Sequence, residues 1–174
     1  MTIEIKDYAK DIKLNLSAVL KTNPESVLQE NQIYAIALSC AYATKNQDLV
    51  QFVLDKAKEK TGENLAENEI TAAKSAASIM AMNNIYYRFA HLVSDKEYLQ
   101  MPAGIRMNVI ANSGVSNIDF EAYCLAVSAI NGCGLCIDSH VKALAKSGLD
   151  KRTIAHIIRV AAVINAAAQA LTIN

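Results

Sequence analysis

The chain has 174 residues, 52% of them hydrophobic, and its 17 basic side chains are balanced by 17 acidic ones. That length suits one domain burying roughly 70% of its unfolded surface, so folding needs neither a disulfide framework nor a structural metal. Balanced charge, with no basic stripe and no interleaved aromatics, argues against a nucleic-acid partner.

Two prolines and six glycines stand against an abundance of Ala, Leu and Ile. Apolar spacing of three and four recurs throughout, which predicts a single all-α domain over 1–174. The opening "MTIEIKDYAKDIKLNL" lacks the basic start and unbroken apolar core of a secretory signal, and reads as a first helix at about 4–21. Asn23-Pro24 fits a helix start, asparagine as cap and proline at the first helical position, giving a second helix at about 25–44. Helices at about 47–60 and 67–91 follow, with "TGEN" (Thr61–Asn64) as the loop between them. "MPAGI" (Met101–Ile105) breaks the chain before a short helix at about 103–112. The last three helices are expected at about 118–131, 133–147 and 151–171. Gly148 ends one where left-handed φ is tolerated, and Asp150 caps the next.

No apolar run approaches the roughly 18 residues of a spanning helix, so no membrane association is expected. Four cysteines without an export signal point to a reducing cytoplasm. A persistent structural disulfide is disfavoured there, but a transient catalytic one is not.

The chain echoes itself weakly. "YAIALSCAYA" (Tyr34–Ala43) resembles "YCLAVSAING" (Tyr123–Gly132), and "AASIMAMNN" (Ala76–Asn84) lies against "AAVINAAAQ" (Ala161–Gln169). The expectation is a degenerate first repeat at about 25–91 and a second, redox-active one at about 117–172. Where the second copy has "CGLC", the first has "TKNQ" (Thr44–Gln47), so the fold does not need the cysteines.

Chemistry concentrates in "NGCGLCIDSH", Asn131 to His140. Cys133 and Cys136 stand three apart, on one helical face, where their sulfurs can approach bonding distance. A helix starting near Cys133 would stabilise a thiolate through its unpaired N–H groups and dipole. A thiolate attacks peroxides and disulfides, and a neighbouring thiol can then close the ring. Cysteine is also a small hydrophobe that packs in helical cores, the reading given to Cys40 and Cys124. His140, four residues after Cys136, sits on the adjacent turn and can take or relay a thiol proton. His91 and His156 have no such neighbour and read as structural. Zinc is the alternative, but C-x2-C-x3-H supplies three ligands where a closed structural site needs four. Asp138 or His156 would have to complete that set. A thioredoxin fold is disfavoured because no βαβ pattern surrounds the motif.

"EAYCLAVSAINGCGLCIDSHVKAL" carries Glu-x11-Cys-x2-Cys-x3-His and resembles the alkyl hydroperoxidase D family of the carboxymuconolactone decarboxylase-like superfamily. The likeness extends through "RMNVIANSGVSNIDFE" (Arg106–Glu121) and "RVAAVINAAAQAL" (Arg159–Leu171). The resemblance implies an all-helical, internally duplicated fold, usually assembled as a homotrimer. It also implies a thiol peroxidase that binds no cofactor. Such an enzyme works with the peroxiredoxin alkyl hydroperoxidase C and draws electrons from dihydrolipoyl groups of a lipoyl-bearing acyltransferase or related adaptor. On this chain, Cys136 resembles the cysteine that becomes the sulfenic acid. Cys133 resembles its partner in the intramolecular disulfide, and Glu121 and His140 match the proton-relay positions. Without the resemblance, Glu121 reads only as a helix-start acid. Some members carry a second histidine just before the second cysteine, where this chain has Leu135. Two further readings stay open: a decarboxylase-like enzyme acting on a lactone or small acid, and a zinc-clipped binding module.

Overall fold

Several helices begin where a side chain accepts a hydrogen bond from the free N–H groups of the first turn. Asn46 Oδ1 accepts from Leu49 N at 3.0 Å, Ser116 Oγ from Asp119 N at 3.1 Å, and Asp150 Oδ1 from Thr153 N at 2.8 Å. The computed structural model describes residues 3–173, and among them there is no β-strand. A 3-10 turn, Asp7–Ala9, leads into α1 (Lys10–Val19), followed by α2 (Glu30–Ala43), α3 (Gln47–Thr61) and α4 (Glu67–Leu92). A second 3-10 turn, Lys96–Leu99, precedes α5 (Asn108–Ala111), α6 (Asn117–Asn131), α7 (Gly134–Lys146) and α8 (Lys151–Thr172). The fold is all-α, as the periodicity indicates.

Two elements depart from the sequence pattern. The second helix starts at Glu30, not near residue 25. Asn23 folds a turn instead: its Oδ1 accepts from Glu25 N at 2.9 Å and its carbonyl from Ser26 N at 2.9 Å. Val27 N then donates to Thr153 Oγ1 on α8 at 3.2 Å, which holds the segment extended. The true start is marked by Gln32, whose Oε1 accepts from Gln29 N at 2.9 Å. The helix expected over 103–112 contracts to the single turn of α5.

At the centre, α2 and α6 pack against each other, and each also packs against α4 and α8. Both are buried nearly all round, from Ile33 to Ala41 and from Ala122 to Ser128. Fully buried alanines such as Ala35, Ala37 and Ala126 leave room for this close approach. By length and composition α8 could cross a membrane, with a mean hydropathy of 1.6, contrary to the sequence expectation that no run comes near that threshold. It serves here as a core helix: Ile154, Ile157, Val160 and Ile164 are buried, and it packs against α1, α2 and α6. Tyr8 ties the first 3-10 turn to the end of α8, its single hydroxyl hydrogen shared between Ala170 O at 2.7 Å and Ile173 O at 2.8 Å.

The end of α6 is clamped to α4 by the buried Asn84 amide and the half-buried Asn131. Asn84 Nδ2 donates to Ser128 Oγ at 2.9 Å, and Asn131 Nδ2 donates to Asn84 Oδ1 at 2.9 Å. Arg88 Nη1 donates to the Asn131 carbonyl at 2.6 Å. Buried polar groups satisfied in this way fix one arrangement of the elements they join.

Candidate active site

Gly132 caps α6 in the left-handed region, φ 69°, and turns the chain so that α7 packs back against α6. Cys133 N donates to Ser128 O at 3.2 Å across this turn. Cys133 is therefore the N-cap of α7, and its Sγ accepts from Cys136 N at 3.3 Å. A sulfur at a cap and another in the first turn both feel the positive end of the helix dipole.

The two sulfurs are bonded, with the Cα atoms 5.3 Å apart, within the ordinary range for a disulfide. Cys133 is fully buried, while Cys136 is 7% exposed. Only Cys136 lines a cavity of about 420 Å³, shared with Glu121, His140 and Asn83. Met80, Tyr87, Ile110 and Leu135 make much of the remaining wall apolar. The helix end alone favours Cys133 as the attacking sulfur, but access favours Cys136.

The fold brings Glu121 to His140, with Nδ1 and Oε2 2.7 Å apart between α6 and α7. Helix-start charge is supplied by Asp119 instead, which accepts from Ser116 Oγ at 2.7 Å and from Gln32 Nε2 at 2.6 Å. Glu121 is thus free to face the imidazole. Because a carboxylate holds Nδ1, Nε2 is the nitrogen left to exchange protons.

The other candidates lie apart. Burial pushes the Cys40 thiol up to about 12 and raises Cys124 as well, with the Glu121 charge adding to the effect at Cys124. His156 is buried on α8, donates through Nε2 to Val19 O at 3.1 Å, and does not line the cysteine pair's cavity. Among the described residues, no group of three or more His, Cys, Asp or Glu is placed to hold a metal ion. A larger depression of about 710 Å³, near the starts of α2, α4 and α6, is lined by Glu30, Glu63, Glu69 and Asp119 but by no cysteine or histidine.

Asn83 is a polar cavity residue that sequence reasoning missed, as are Tyr87 and Ser139. Two adjacent amides inside an alanine-rich helix were the available signal, but nothing in the sequence separates Asn83 from its structural neighbour Asn84.

The all-helical bundle holds a cysteine pair at a helix start beside a carboxylate–imidazole pair, and residues 96–173 match the family model described as the carboxymuconolactone decarboxylase family. The alkyl hydroperoxide reductase AhpD of Coxiella burnetii (strain RSA 493 / Nine Mile phase I) is 55% identical over 166 residues, covering 95% of this chain and 92% of that protein. The protein of the same name from Streptomyces griseus is 49% identical over 162 residues, covering 93% and 88%. That from Rhodopseudomonas palustris is 49% identical over 164 residues, covering 94% and 87%. The chain belongs to the alkyl hydroperoxidase D (AhpD) family.

Proposed function

We propose that the protein is a cytoplasmic thiol peroxidase and disulfide reductase that reduces alkyl hydroperoxides and regenerates an oxidised peroxiredoxin. Dihydrolipoyl groups on an acyltransferase or related adaptor supply the electrons. One observation carries the reading: Cys136, bonded to Cys133, shares a cavity with His140, whose imidazole is held by Glu121.

In the dithiol form, His140 takes the Cys136 proton at Nε2 while Glu121 steadies the imidazolium. The thiolate attacks the distal oxygen of a hydroperoxide, the O–O bond breaks, and the alkoxide leaves as an alcohol with the proton from His140. The Cys133 thiol displaces water from the resulting sulfenic acid and closes the disulfide. With an oxidised peroxiredoxin, Cys136 attacks the disulfide instead and Cys133 releases the reduced partner. A dihydrolipoyl group returns the pair to the dithiol by two exchange steps. Leu135 occupies the position of the second relay histidine found in some members of the family. The proton route then runs through His140 and Glu121 alone, and thiol transfer outpaces direct peroxide reduction.

A homotrimer is the proposed assembly, supported by an apolar stripe along α4 and the following turn. Ile85, Phe89, Leu92 and Met101 are each about half exposed or more, and apolar side chains grouped at a surface are what a partner subunit would cover. Duplication of a three-helix unit is also proposed. It is supported by local geometry: Lys45, at φ 59°, and Asn46 lead into α3 as Gly132 and Cys133 lead into α7.

The test is a reconstituted assay with lipoamide, its dehydrogenase and NADH, with and without peroxiredoxin. NADH oxidation dependent on an alkyl hydroperoxide supports the reading, and acceleration by the peroxiredoxin supports the adaptor role. Full activity in a Cys133→Ser, Cys136→Ser double variant would overturn it.

A further inference from the structure

Asn83 and Asn84 are consecutive on α4, and their surroundings differ. Both ends of the Asn84 amide are engaged, by Ser128 and by Asn131. Asn83 is 4% exposed, and its Oδ1 is wholly buried with no hydrogen-bond partner. A buried carbonyl left unpaired is costly, and native interiors satisfy nearly all of them. Asn83 also lines the cavity that holds Cys136, His140 and Glu121, whose own acceptor oxygen already faces His140. An O–H or N–H donor entering the cavity would supply the missing partner once the amide turns toward it.

We infer that Asn83 is a substrate-binding residue whose Oδ1 accepts the O–H of the hydroperoxide and aims its distal oxygen at Cys136. This rests on the peroxidase reading above. An alkyl hydroperoxide has one donor, the hydrogen on its distal oxygen, and an apolar remainder. The cavity offers the matching pair, a buried acceptor without a partner on a wall that also holds Met80, Met107, Ile110 and Leu135. As the Cys136 thiolate attacks, the O–O bond breaks and the distal oxygen keeps its hydrogen, becoming the hydroxyl of the sulfenic acid. The alkoxide takes the proton from His140 and leaves as the alcohol. Sulfur is oxidised and the hydroperoxide reduced. The hydrogen bond to Asn83 survives the transfer, because its donor never changes atoms.

A disulfide substrate carries no such O–H, so the two half-reactions separate the role. Pre-reduced protein is mixed with cumene hydroperoxide or with dipyridyl disulfide in single-turnover experiments, alongside a Tm measurement. Asn83→Leu should lose roughly tenfold in the hydroperoxide rate constant, the worth of one neutral hydrogen bond, while disulfide exchange changes less than twofold. Should Asn83→Leu fold poorly, Asn83→Ser is compared with Asn83→Ala: the hydroxyl, which keeps an acceptor, should retain more of the hydroperoxide rate. An unchanged hydroperoxide rate in Asn83→Leu overturns the assignment, and so does an equal loss with both oxidants, which marks a structural role. A wild-type protein that exchanges with the disulfide but is not oxidised by the hydroperoxide overturns the peroxidase reading itself, and this inference with it.

Discussion

His140 Nδ1 lies 2.7 Å from Glu121 Oε2, joining α7 to α6 at the wall of the cavity that Cys136 enters. The imidazole is only 12% exposed and the carboxylate 27%, so the pair is shielded enough for its charge to matter and open enough to exchange protons. His140→Ala should slow thiolate chemistry by roughly a hundredfold, the low end for loss of a general base. Glu121→Gln should do less, since the imidazole remains. In both variants the thiolate absorbance of the reduced protein should rise at higher pH than in the wild type. An unchanged midpoint would show that the pair does not act on Cys136.

Cys136 is the accessible thiol of the four. In the reduced native protein at mildly alkaline pH, iodoacetamide should label Cys136 in a Cys133→Ser variant. Cys133 in Cys136→Ser should react far more slowly, being fully buried. Cys40, its thiol held at about 12 by burial, should resist until denaturant is added, as should Cys124. Mass spectrometry of the digests reads the outcome directly. Faster labelling of Cys133 would reverse the order of attack.

Gly132 takes φ 69° at the end of α6, with nothing within 4 Å of where a Cβ would stand. Gly132→Ala is thus strained by its backbone and not by crowding, and should cost about 1–2 kcal/mol in urea unfolding. Because the same residue delivers Cys133 to its capping position, the variant's disulfide should also shift in reduction potential. A stability loss without that shift would separate the turn from the redox pair.

Asp150 holds the start of α8 through the Thr153 N–H, and that hydrogen bond lowers its carboxyl below the usual range. A lowered folded value means the stabilisation is present above the unfolded value and is lost as pH falls through the folded one. Asp150→Ala should therefore lower Tm at neutral pH, with the gap to the wild type narrowing below about pH 4. A gap constant across that range would mean the charge contributes nothing.

What was readable in the sequence is what local chemistry decides. The helix starting at the Cys133–Cys136 pair, the Asp150 cap and the left-handed Gly148, at φ 94°, each depend on a few consecutive residues. Asn23-Pro24 misled because a turn uses the same residues as a helix start. The choice was made by Thr153, distant in sequence but bonded to Val27. Glu121 needed the α6–α7 reversal before it could be more than a helix-start acid, and only the family resemblance singled it out beforehand. Asn83 cannot be told from Asn84 in the sequence, since which of two adjacent amides meets the cavity is settled by how α4 is rotated against α6.

The sulfur bridge spans three positions of sequence, within the first turn of α7. Closing so small a ring removes few conformations from the unfolded chain, about 2 kcal/mol, against about 5 kcal/mol for a loop of a hundred residues. Gain or loss of the electron pair therefore changes how firmly the bundle holds by less than half of what a long-range bridge would. Most of what holds the scaffold lies outside the proposed redox cycle.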